Sequence, residues 1–105
     1  SISGEESKGG IAPADLPAFL EELSSCANIR CRGLMTMAPR GDVETARETF
    51  AGLRILAAKM AEEFGGRDNI SMNELSMGMS EDWPVAIEEG ATMVRIGRKI
   101  FSEYF

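Results

Sequence analysis

An α/β chain of successive βα units with parallel strands is the fold class the sequence predicts, on three observations. Residues 43–64 carry an apolar stripe (Val43, Ala46, Phe50, Leu53, Ala57, Met60, Phe64) at steps of three and four, as a long helix laid on a sheet requires. Leu75-Ser76-Met77-Gly78-Met79 and Thr92-Met93-Val94-Arg95-Ile96 are short apolar strands that break at a small residue, Ser80 or Gly97, and open onto helices. Candidate strands and helices alternate along the chain, so right-handed crossovers between parallel strands follow.

In order, residues 1–10 are small, polar and glycine-rich and read as a loop, with Glu5, Glu6 and Lys8 as a solvated charge cluster. Residues 13–27 read as a helix with Leu16, Phe19, Leu20, Leu23 and Cys26 on one stripe; Pro13 and Pro17 are tolerable only near its start. Residues 29–37 read as a buried strand, Gly33 allowing close backbone packing and Arg30 and Arg32 forming ion pairs near its entrance. Residues 38–42 are a turn, and Asp42 is the expected N-cap of the long helix, which Gly65-Gly66 ends. Residues 67–72 lead into the strand at 74–79, and an acidic helix over 81–89 stops at Gly90. The strand at 92–96 precedes a short helix ending at Phe105.

Composition bounds the function. At 105 residues the chain is one domain or a piece of one, and 44% hydrophobic with 27% charged residues is a globular balance. A net charge of −6 and a pI near 4.6 argue against nucleic acid or an anionic membrane surface as partner. No apolar run approaches the ~18 residues of a membrane span, and no basic segment followed by an apolar one opens the sequence as a secretory signal would. With no histidine and only Cys26 and Cys31, a zinc site is not indicated; reduced, buried thiols and a cytoplasmic location are expected.

Two strand-to-helix turns in consecutive units suggest a shared phosphate cradle, because backbone N–H groups at a helix start and the helix dipole favour an anion. In a TIM (β/α)8 barrel, the loops after the last two strands often bind phosphate in this way. From the residues alone, Ser80 is either such a donor or a plain N-cap. Gly97 is either a tight turn or a glycine whose N–H an anion can approach, with Ile96 adding a second backbone donor. Arg95 ends an apolar strand, so its side chain lines the barrel mouth or escapes to solvent. Met79 stands beside Ser80, although thioethers such as Met77 and Met79 are more often core filler than ligand contacts.

Several blocks taken together carry a family likeness: Ser3-Gly-Glu-Glu-Ser-Lys-Gly-Gly10, Arg32-Gly-Leu-Met-Thr-Met37, Leu75-Ser-Met-Gly-Met-Ser-Glu-Asp82, Ala86-Ile87 with Gly90, and Val94-Arg-Ile-Gly97 with Ile100-Phe101. In this order they resemble the pyridoxal phosphate homeostasis family, alanine-racemase-like barrels that bind pyridoxal 5'-phosphate (PLP). The likeness covers only the C-terminal part of that family's sequence, so it implies a single partial domain over 1–105, the C-terminal portion of a TIM barrel of the alanine racemase N-terminal-domain type. It makes residues 1–10 the tail of a barrel strand and its loop at the active-site face, with Ser1 where the family usually has asparagine. It implies cofactor contacts at Met79, Ser80, Arg95, Ile96 and Gly97, Arg95 facing the pyridine nitrogen. Arg98 stands where the family usually places serine or threonine, which removes one expected hydroxyl.

The lysines are Lys8, Lys59 and Lys99, none at a position resembling the family's cofactor-bound lysine, so the chain by itself is expected to be non-catalytic and to hold PLP weakly or not at all. An alanine-racemase-type enzyme and a plain phosphate-binding or structural α/β fragment are the alternatives. About three strands cannot close a barrel, so sheet edges and an inner face bearing Met35, Met37 and Leu75 would meet water. A homo-oligomer through those surfaces is the expected response.

Overall fold

The computed structural model describes residues 10–39 and 41–95. After a single 3-10 turn at Pro13–Asp15 come α1 (Leu16–Ser24), β1 (Cys31–Met35), α2 (Val43–Glu63), β2 (Ile70–Ser76) and α3 (Trp83–Glu88). The two prolines account for the first boundary. Each sits in the first turn of its element, where a missing N–H costs nothing, and the regular helix starts only at Leu16 rather than at residue 13.

β1 and β2 pair in parallel, with Gly33 opposite Glu74, Leu34 opposite Leu75 and Met35 opposite Ser76; the register is irregular between Cys31 and Gly33. Gly33 is required by the closeness of this pairing. A Cβ built there would lie 1.7 Å from the Glu74 carbonyl oxygen, so no side chain fits without parting the strands. A further stretch lies along the other edge of β2. Met93 forms an isolated parallel bridge with Ser76, the Met77 N–H donates to the Met93 carbonyl (3.0 Å), and the Arg95 N–H donates to the Gly78 carbonyl (2.9 Å).

α2 packs across one face of the sheet, as its stripe dictates. Ala46, Phe50, Leu53, Ala57 and Met60, with Phe64 just beyond, are buried, and Phe50 is 0% exposed. Asp42 caps it as expected, its carboxylate accepting from the Glu44 N–H at 3.2 Å. Val43 departs from the stripe and is exposed, because it belongs to the first turn, beyond the edge of the packed surface. The core divides into two clusters along the helix. One joins Phe50, Leu53 and Ala57 to Leu75, Met77 and Ala86. The other joins Met60 and Phe64 to Leu16, Leu20 and Ile70. Phe19 is exposed: at about 100° per residue it stands some 60° from Leu16, at the margin of the α1 stripe.

Four expectations are corrected. The second strand is Ile70–Ser76, starting earlier and ending sooner than the 74–79 read from sequence, because apolar character past Ser76 serves the strand exit rather than the ladder. The first strand is Cys31–Met35 rather than 29–37. Leu75 does not share a face with Met35 and Met37. It lies opposite Leu34 and is buried against α2, while Met35 is 58% exposed on the other side. The Arg30 guanidinium donates to the Asp68 carbonyl at 3.4 Å, a hydrogen bond to backbone in place of the expected ion pair. The helix expected to end at Phe105 and the loop of residues 1–9 lie outside the described residues.

Candidate functional site

The exits of β2 and of the 92–95 stretch leave the sheet side by side and in the same direction. Thr92 and Met93 both donate their N–H groups to the Leu75 carbonyl (2.9 and 3.2 Å), and the Thr92 hydroxyl accepts from the Leu75 N–H at 2.8 Å. From that anchor the backbones run parallel until Arg95 meets Gly78. Gly78 sits at φ +106, and a Cβ there would come within 2.6 Å of the Ala86 Cβ and 3.1 Å of Val94 Cγ1. Absence of a side chain thus lets α3, β2 and the last stretch meet at one point.

Contrary to expectation, the chain beyond Gly78 does not enter a helix at Ser80. Residues 80–82 form a turn, α3 begins at Trp83, and its N-cap position is held by Asp82. The Asp82 carboxylate accepts from the Met79 N–H at 2.7 Å, while the Asp82 and Trp83 N–H groups return to the Met79 carbonyl (3.2 and 2.9 Å). This closed loop holds the turn rigidly and commits Met79's backbone within it. Pro84 follows in the first turn of α3, where its missing N–H is harmless.

Of the five residues singled out, Ser80 is half-buried in this turn, Met79 is 41% exposed, and Arg95 is exposed at the neighbouring exit. Met77, by contrast, is core. Ile96 and Gly97 lie outside the described residues. Two organising residues, Asp82 and Thr92, received no role from sequence. The signals were present: an acidic residue three positions after Met79 suits a capping-box contact back to its N–H, and Thr92 is the hydroxyl that opens an apolar stretch. Arg32, Gly33, Leu34, Met35, Glu74, Ser76 and Met93 line an open groove of ≈ 380 Å³, most of it on the sheet face away from α2. Among the described residues no group of His, Cys, Asp or Glu could hold a metal ion, and no helix is long and apolar enough to cross a membrane.

The family model for the alanine racemase N-terminal domain matches residues 3–104. The chain belongs to the alanine racemase N-terminal domain family. Its fold is accordingly of the TIM-barrel type, and the parallel strands with intervening helices form part of such a barrel. Among curated relatives, the chain is 42% identical over 104 residues to the pyridoxal phosphate homeostasis protein of Aquifex aeolicus, covering 98% of this chain and 44% of that protein. It is 43% identical over 102 residues to the protein of the same name from Pseudomonas aeruginosa, covering 96% and 41%. Two solved structures of PipY from Synechococcus elongatus, without and with PLP bound, superpose at TM-scores of 0.76 and 0.74. Both are 42% identical, over 84% of this chain and 40% and 41% of those. The crystal structure of an unknown protein from Bifidobacterium adolescentis superposes at 0.79, with 35% identity over 90% of this chain and 38% of that one. The chain spans less than half the length of the relatives it matches.

Proposed function

We propose that this chain is a single partial domain forming the phosphate-holding end of a PLP-binding barrel, and that the protein serves PLP homeostasis by holding the cofactor rather than by turning over a substrate. The observation that carries the reading is the hydrogen bond from the Arg95 N–H to the Gly78 carbonyl, which sets the exits bearing Ser80 and Arg95 beside each other. Support comes from relatives named for PLP homeostasis and from the PLP-bound PipY structure of the same fold.

The residues suit such a ligand. Ser80 offers a hydroxyl at a tight turn, Arg95 a permanent cation, and Gly78 removes bulk between them, while one Asp82 carboxylate oxygen is engaged by the Met79 N–H. In the proposed arrangement Ser80 and the N–H groups of Ile96 and Gly97 take the phosphate, Met79 borders the ring, and Arg95 faces the pyridine nitrogen. Bound PLP supplies an electron-withdrawing ring, and a guanidinium at that nitrogen disfavours its protonation and so keeps the withdrawal weak. That suits storage and delivery. A net charge of −6 speaks against nucleic acid as a partner, and a homo-oligomer would cover the exposed sheet face at Met35 and Met93.

A titration followed by PLP absorbance tests the reading, with inorganic phosphate as competitor. The chain alone is expected to bind PLP weakly, in preference to phosphate, and to weaken further with Ser80→Ala or Arg95→Gln. Reduction with borohydride should fix no cofactor on any one lysine. Equal affinity for PLP and inorganic phosphate would leave only an anion site. A tight stoichiometric complex, fixed on a single lysine by reduction, would overturn the non-catalytic assignment.

A further inference from the structure

The observation lies at the other end of α3. Glu89, whose side chain is 13% exposed, receives two arginines: Arg47 Nη1 at 2.7 Å on Oε2 and Arg54 Nη2 at 3.2 Å on Oε1. Arg47 extends its second nitrogen to Glu88 Oε1 at 2.6 Å. Positions 47 and 54 are two turns apart on α2, ~10 Å along its axis, so the carboxylate is gripped between them. Most surface ion pairs contribute little, but a shielded carboxylate bridged by two guanidiniums is the favourable geometry.

α3 needs such a grip. With six residues it has no stability of its own, and its one buried residue is Ala86. Ala86 is also the residue whose methyl fills the space left by Gly78. The height of α3 above the sheet therefore depends on Ala86 at its middle and Glu89 at its end. Upstream of the clamp, α3 carries Asp82 and the turn it closes on Met79. Downstream, the chain reverses at Gly90 (φ +104), where an added Cβ would lie 3.5 Å from Arg54 Cδ, and then delivers Thr92 to Arg95.

We infer that Glu89 is a positioning residue, which through Arg47 and Arg54 sets the relative placement of the two strand exits. That the clamp thereby keeps Ser80 and Arg95 in place for PLP rests on the proposed function. The test is amide hydrogen exchange on the whole chain, comparing wild type with Glu89→Gln, which keeps the shape and removes the charge, and with Arg54→Met. Protection of the Met79 and Arg95 N–H groups, which donate to Asp82 and to Gly78, should fall about tenfold or more in both variants, while that of Thr36, which donates to Ser76, stays the same. The double variant should lose no more than Glu89→Gln alone, since that substitution already removes the charge Arg54 meets. A uniform loss of protection, or unchanged Met79 and Arg95 amides, would overturn the inference. The measurement needs no ligand, so a failure of PLP to bind would count against the proposed function alone.

Discussion

Gly78→Ala is the most searching single substitution, because two separate penalties fall on one added methyl. At φ +106 an L residue is strained by about 1–2 kcal/mol. The new Cβ would also stand 2.6 Å from Ala86 Cβ, where carbon atoms prefer about 3.5–4.0 Å. Overpacking of that kind costs about 1–3 kcal/mol. Reduced freedom of the unfolded chain returns about 0.4–1 kcal/mol, leaving a net loss of roughly 1–4.6 kcal/mol. Total stabilities of about 5–15 kcal/mol make this a large fraction. Urea unfolding followed by the fluorescence of Trp83, the sole tryptophan, reads the site locally, and far-UV circular dichroism reads the whole. Ala86→Gly in the same chain separates the two penalties. It removes the clashing methyl but leaves the backbone strain, so the double variant should be more stable than the summed single losses by about 1–3 kcal/mol. A Gly78→Ala chain within about 0.5 kcal/mol of wild type, or strictly additive losses, would refute this account of the junction.

Asn69→Ala should lower stability by about 1–3 kcal/mol in urea unfolding, since the Asn69 side-chain amide donates to the carbonyls of Leu23, Cys26 and Ile29 at 3.1–3.2 Å and ties the end of α1 to the start of β2. Asp42→Ala should cost about 1 kcal/mol by the same assay, with Asp42→Ser close to wild type, because the loss is that of a cap. Light scattering on the purified chain should give an oligomer; a stable monomer of 11.4 kDa that unfolds cooperatively would sink that expectation.

How far the sequence could be read depended on how many residues repeated the same message. α2 states its buried face six times between Ala46 and Phe64, and its observed burial follows that stripe. β2 gave a weaker signal. Its ladder holds Asn73 and Glu74, whereas the more apolar residues 77–79 lie beyond it, so hydropathy marked the exit rather than the strand. Leu75 was put on the wrong face because the register between β1 and β2, which pairs it with Leu34 and not Met35, is set by the folded sheet and not by either strand alone. At the candidate site, the small residues and the adjacency of two turns were legible. Asp82 and Thr92 were not, because their roles depend on which backbone groups the folded chain leaves to be satisfied. Asn69 escaped for the same reason: one polar residue in a connection has no period to betray it.

The parallel pairing of β1 with β2 has a kinetic consequence. Cys31 meets Ile70 and Met35 meets Ser76, contacts that cannot form until the intervening segment brings the strands together. As a flexible coil, that segment would impose a substantial closure entropy before any ladder bond repaid it. As a helix from Val43 to Glu63, it is a rod of roughly 30 Å whose ends already fix where the strands can lie. Helix formation is local and fast, so α2 is expected to be structured in the transition state while the ladder forms late. A glycine placed at exposed Lys59 should then slow refolding in stopped-flow measurements far more than it speeds unfolding, the burden falling on the rod and not on the sheet it joins.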